Sequence, residues 1–174
     1  MSIPQSGGGQ IEHHDQLAQY LADGCKPKEA WRIGTEHEKF GYCKDSLKSL
    51  PYDGERSVRA VLEGLRDGYG WAPLQEGGHI IGLTKDGANV SLEPGGALEL
   101  SGAPLETIHE TCDEVNVHLR EVKDIADKIG AGFIGLGAAP IWEHNDMHQM
   151  PKGRYTLMDA YMDPVGTMGT SMRY

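Results

Sequence analysis

Eight apolar residues between Leu105 and Ile129 recur at alternating steps of three and four: Leu105, Ile108, Cys112, Val115, Leu119, Val122, Ala126 and Ile129. That period gathers them into one stripe along a single helix. Pro104 opens the helix and Gly130 stops it. A helix this long with one apolar side has to lie on another layer of structure, and the neighbouring segments read as strands of a sheet. On this reading Cys112 belongs to the core.

The other segments fit a sheet with helices on it. A first helix is expected from about Ile11 to Asp23, with Gly24 as its stop, and a second from Arg56 to Asp67, with Val58, Val61, Leu62 and Leu65 inward. Trp31 to Cys43 reads as a strand. Its alternation puts Trp31, Ile33, Thr35, His37 and Lys39 on one face, and Arg32, Gly34, Glu36, Glu38, Phe40 and Tyr42 on the other. Ile80–Thr84 and Asn89–Glu93 flank an Asp-Gly turn and form a hairpin. Pro94-Gly95-Gly96 then bends the chain into a short strand, Ala97–Ser101. A further strand is expected over Gly132–Leu136. The methionines from Met147 to Met172 read as core filler. Residues 1–10 read as a flexible leader.

Composition excludes some classes. The net charge is −10, which argues against a nucleic-acid surface or a polybasic membrane face. No run of residues is long and apolar enough for a membrane helix. Met1 to Asp15 holds no Lys or Arg, unlike a secretory signal. Three cysteines without a C-x-x-C pair read as reduced thiols, and a cytoplasmic location is expected. The 24 glycines are about twice ordinary usage and show no period, so they mark turns and close approaches.

Several apparent motifs carry no chemistry. Gly130 to Gly135 matches G-x-G-x-x-G, but a helix precedes it and Pro140 follows. The dinucleotide fingerprint needs a strand first and a helix after. The stretch therefore reads as a helix stop and then a strand. His109-Glu110 lacks the second histidine of a zincin. His144 and His148 lack a third ligand.

Two acidic pairs remain. Glu36 and Glu38 share a strand face. Glu93 and Glu99 lie six apart across the Pro-Gly-Gly bend, an even spacing that would give them one face if the strand stayed regular. Two readings stay open at this point. One is a half-exposed sheet whose charges face water. The other is a hard-oxygen site for Mg²⁺ or Mn²⁺, serving phosphate chemistry.

Three blocks resemble one family. Arg32-Ile33-Gly34-Thr35-Glu36-His37-Glu38-Lys39-Phe40-Gly41 is similar to a signature of the plant- and proteobacterial-type glutamate–cysteine ligases. So are the run from Ser91 to Pro104 and the run Met150-Pro151-Lys152-Gly153-Arg154-Tyr155 with Met158-Asp159-Ala160-Tyr161-Met162. The resemblance implies an α+β, glutamine-synthetase-like fold, with a curved, largely antiparallel sheet and helices on its outer side, incomplete in this chain. Residues 11–174 would be the N-terminal part of that catalytic domain. It implies ATP- and Mg²⁺-dependent joining of the L-glutamate γ-carboxylate to the L-cysteine amine, through γ-glutamyl phosphate, in the first step of glutathione synthesis. Glu36 and Glu38 would then hold Mg²⁺ (or Mn²⁺) beneath ATP, and Glu93 and Glu99 would complete the metal shells or touch the substrate amine. Lys152 and Arg154 would meet anionic groups of glutamate or phosphate. The alternatives are an inactive metal- or glutamate-binding piece, and a related glutamate–amine ligase.

Overall fold

The computed structural model describes residues 8–166, 168, 169 and 171. Met172 and the first seven residues of the expected leader lie outside the described residues. In chain order the elements are α1 (Asp15–Ala22), β1 (Glu36–Cys43), α2 (Val58–Tyr69), β2 (Ala72–Glu76), β3 (His79–Lys85), β4 (Ala88–Leu92), β5 (Leu98–Ser101), α3 (Ile108–Ile129), β6 (Ala131–Ile134) and α4 (Gly153–Val165).

The six strands form one open sheet in the order β2-β3-β4-β5-β1-β6, with every neighbouring pair antiparallel. The hairpin β3–β4 turns on Asp86 and Gly87, both with positive φ, as the Asp-Gly signal requires. β1 serves two partners along its length. Glu36 to Lys39 pair with β5, and Phe40 to Cys43 pair with β6. β1 is shorter than the expected Trp31–Cys43. Ile33 still exchanges two main-chain hydrogen bonds with Leu105, but Pro104 has no N–H to continue the ladder.

Helices α2 and α3 pack on one face of the sheet. Val61, Leu62 and Leu65 of α2 and Val122, Ile125 and Ala126 of α3 close over Leu83, Val90, Leu92, Leu98 and Leu100. The four inward residues expected of α2 are all buried. Gly64 lets the two helices approach, because a Cβ there would lie 2.7 Å from Ile125. The α+β class, with an antiparallel sheet and the two long helices α2 and α3 on one side, is as the sequence implied.

α3 departs from its expected stripe. Its buried residues are Thr111, His118, Glu121, Val122, Ile125 and Ala126. Cys112, expected in the core, is exposed, as are Ile108 and Leu119. From its start to Glu121 the helix turns polar side chains inward. Two of them find partners there. Glu114 accepts from the Ala103 N–H at 2.8 Å, and Glu121 accepts from the Trp71 indole N–H at 2.8 Å. These charge-assisted bonds offset part of the cost of leaving Ile108, Cys112 and Leu119 exposed.

Candidate functional site

The sheet face opposite α2 and α3 carries the carboxylates. The register explains their arrangement. Glu38 stands directly opposite Glu99, and Glu99 directly opposite Ser91, so β1, β5 and β4 contribute one row of three polar side chains. The neighbouring row on the same face is Glu36, Ser101 and Asn89. The alternate rows, Lys39–Leu98–Leu92 and His37–Leu100–Val90, face the helices.

Glu93 follows Ser91 by two residues in extended backbone and so takes the same face, and the bend after it returns the chain as β5 alongside β4. Gly95 and Gly96 have φ of 81° and 90°, a conformation that side chains rarely adopt. A Cβ on Gly96 would also meet Met150 at 3.0 Å. The turn brings Glu99 opposite Ser91, whose hydroxyl lies 3.5 Å from Glu93 Oε1 and 3.4 Å from Glu99 Oε2. Ser101 donates to Glu99 Oε1 at 3.2 Å. The two acids flanking the bend do share one face, with Ser91 between them.

A cavity of about 420 Å³ opens here, lined among others by Glu38, Phe40, Glu93, Arg154, Tyr155 and Met158. That volume is in the range of small-molecule sites. One wall comes from the segment before α4, which contributes Gly137, and Trp142 of that segment backs Phe40 edge-on at 5.9 Å. α4 supplies the other. Tyr155 donates to the Leu92 carbonyl at 2.6 Å, and Arg154 donates to the Tyr155 hydroxyl at 3.1 Å. Arg154 thereby projects its guanidinium toward the carboxylates. Lys152 is buried and donates to the same Leu92 carbonyl at 2.6 Å, tying the start of α4 to β4.

The electrostatics follow from this crowding. Burial, then the neighbouring Glu99, push the Glu38 carboxyl above its ordinary value, while Lys39 pulls against them. Burial and Arg154 lower Lys152 to about 8, against the pull of Glu93, Glu99 and Glu76. Burial raises the Tyr155 phenol to about 12, so it is a hydrogen-bond donor at neutral pH.

Of the residues singled out from sequence, Glu38, Glu93 and Arg154 line the cavity, and Glu99 stands opposite Glu38. Glu36 lies one row away, opposite Ser101. Sequence reasoning passed over Ser91, Ser101 and Tyr155. Tyr155 had a signal, since it follows Arg154 and lies three residues after Lys152. The serines had none, because only the cross-strand register brings their hydroxyls to Glu99.

Divalent magnesium is commonly held by one or two carboxylates, with phosphate oxygens and water completing the shell. The Glu38–Glu99 pair, with Glu99 steadied by two serine hydroxyls, fits that demand. No three His, Cys, Asp or Glu side chains converge on one point among the described residues, so the donor set is a pair rather than a closed cage.

A sequence model of the family described as "Glutamate-cysteine ligase family 2(GCS2)" matches residues 32–174. The chain belongs to that family. It is similar to "Glutamate--cysteine ligase, chloroplastic" of Medicago truncatula, with 50% identity over 158 residues covering 91% of this chain and 30% of the relative. "Glutamate--cysteine ligase A, chloroplastic" of Oryza sativa subsp. japonica is 49% identical over 160 residues, 92% of this chain and 32% of the relative. The Arabidopsis thaliana protein named "Glutamate--cysteine ligase, chloroplastic" is 49% identical over 158 residues. The chain thus spans about a third of the length of these relatives. Their names overturn the cytoplasmic expectation, since they place the relatives in the chloroplast. No described helix is long and apolar enough to cross a membrane.

Proposed function

We propose that this chain carries the acidic face of an ATP- and Mg²⁺-dependent glutamate–cysteine ligase, as part of a longer catalytic unit. The observation that carries the reading is the cross-strand pair Glu38–Glu99, with Glu93 and Arg154 beside it on one cavity, in a chain of this family. A divalent cation held by that pair would neutralise charge on phosphate oxygens and on the acceptor carboxylate.

The chain's own residues do the rest by position and charge. A carboxylate becomes open to attack by an amine once a phosphoryl group has made its oxygen a leaving group. Bringing two anions together for that step needs cationic groups around them. Arg154 offers a forked donor set suited to a carboxylate or phosphate at the cavity wall. Ser91 and Ser101 hold Glu99 so that its oxygens point along the face. Phe40 and Met158 add apolar surface to the cavity lining and limit water around the reacting groups. No side chain is required as a covalent nucleophile, and Cys112 lies exposed on α3, on the helix side of the sheet.

Calorimetric titration of the chain with Mn²⁺, with and without ATP, tests the reading, together with ADP release in the presence of L-glutamate and L-cysteine. Glu38→Gln and Glu99→Gln should each weaken Mn²⁺ binding by about tenfold or more. An unchanged affinity in both variants would sink the proposal. Mn²⁺ binding without ADP release would favour a binding piece that needs the remainder of the unit for turnover, as its share of the relatives' length suggests.

A further inference from the structure

Lys39 stands where the fold asks for a leucine. Its row on the helix-facing side of the sheet is Lys39, Leu98 and Leu92, and all three are at most 1% exposed. Placing an ammonium in such a row is expensive unless something opposite in charge offsets it. On that side nothing does. Lys39 makes no ion pair among the described residues, and its ammonium has three long contacts, to the His37 carbonyl (3.3 Å), the Leu98 carbonyl (3.4 Å) and His37 Nδ1 (3.4 Å). The nearby His118 is kept neutral by burial and by the positive field of Lys39. The buried charge is therefore left unspent among its immediate neighbours.

Its partners lie on the other side of the sheet. The two carbonyls it bridges belong to His37 and Leu98, the residues just before Glu38 and Glu99. Burial lowers the Lys39 ammonium to about 8, still charged at pH 7, and the two carboxylates, which face each other across the β1–β5 ladder, are the charges that hold it up. Two like carboxylates in one row repel each other. A cation fixed one sheet thickness behind them attracts both and opposes their separation. Its field passes through protein rather than water, so salt screens it poorly.

We propose that Lys39 is a positioning residue for the carboxylate pair. Its buried ammonium is a built-in counter-charge that keeps Glu38 and Glu99 side by side without a metal and holds down their affinity for a divalent cation. A site that takes up and releases its metal with the nucleotide on each turnover is served by such a charge. The inference rests on the reading of the pair as a metal site.

The test is calorimetric titration with Mn²⁺ at pH 7 of the wild-type chain, Lys39→Met, Lys39→Gln and Lys39→Arg, with Glu99→Gln as control and circular dichroism to verify folding. Methionine suits the leucine row. Glutamine keeps a donor for the two carbonyls and loses only the charge. Both neutral variants should bind Mn²⁺ about three- to tenfold more tightly, and Lys39→Arg should stay close to wild type. A residue with only a structural task would weaken binding on replacement, so tighter binding with rescue by arginine is the distinguishing result. Equal or weaker binding in the folded neutral variants, with binding lost in Glu99→Gln, would overturn the role of Lys39 alone. No Mn²⁺ binding by the wild-type chain would overturn the metal reading and this inference with it.

Discussion

His118 is 2% exposed, and neither of its ring nitrogens has a hydrogen-bond partner among the described residues. Burial first, then Lys39 and His37, lower its pKa to about 3 from an ordinary 6.5. Glu114 and Glu121 lie one turn to either side on α3, but Glu121 is engaged with Trp71 and Lys85. The sign of the linkage is plain. The unfolded chain takes up the imidazole proton first, so the contribution of His118 is complete above about pH 6.5 and is lost as pH falls toward 3. Urea denaturation of wild type and His118→Leu across that range should show the wild type losing stability relative to the variant on acidification. The leucine variant should be at least as stable at pH 7, because it removes two unsatisfied polar atoms. Parallel pH profiles for the two proteins would refute the assignment. None of this is legible in the local sequence, where His118 sits one residue from the apolar stripe.

Among the elements, α3 shows how local signals and packing divide the work. Its start is a capping box. The Glu110 N–H bonds the Thr107 hydroxyl at 3.2 Å, and the Thr107 N–H bonds the Glu110 carboxylate at 2.8 Å. That carboxyl is held below its ordinary value, chiefly by the Thr107 N–H. Thr107→Ala should lower stability by about 1 kcal/mol, read from the urea midpoint at constant slope. The end of α3 at Gly130, in the left-handed conformation, is equally local. Its rotation is not local, since it depends on where the Ala103 amide and the Trp71 indole lie. Two elements gave weak signals of their own. β2 is a sheet edge containing Pro73, and its short run barely alternates. α4 contains Pro164 and leaves Leu157, Tyr161 and Val165 exposed, so it lacks a buried apolar stripe to announce it.

At the scale of the whole molecule the sheet separates two tasks. One face is a leucine-rich core under α2 and α3, and the other gathers carboxylates beside the cavity. The chain before β1 contributes little to either. Every described residue from 8 to 34 is exposed, and α1 buries none of its residues, including Leu17, Tyr20 and Leu21. An eight-residue helix without packing is marginal in water. Deleting the chain through Gly24 should change unfolding stability by less than about 0.5 kcal/mol and leave Mn²⁺ affinity unchanged. A larger loss would show that this arm packs on the body in solution.

The sequence alone determined the periods, and with them most element types. It placed α2 and its four inward residues, the hairpin, the bend at Pro94-Gly95-Gly96, and the shared face of Glu36 and Glu38. Those features arise from interactions within a few residues, such as turn geometry, capping and alternation. Its motif blocks also pointed to the family. Only the tertiary structure decided that Glu38 meets Glu99, that Ser91 links Glu99 to Glu93, and that Lys39 lies buried behind the pair. Alternation tells which face a side chain takes but not which strand stands beside it. Register is set by contacts between residues about sixty positions apart, and the field around a carboxylate is set by whatever those contacts bring near.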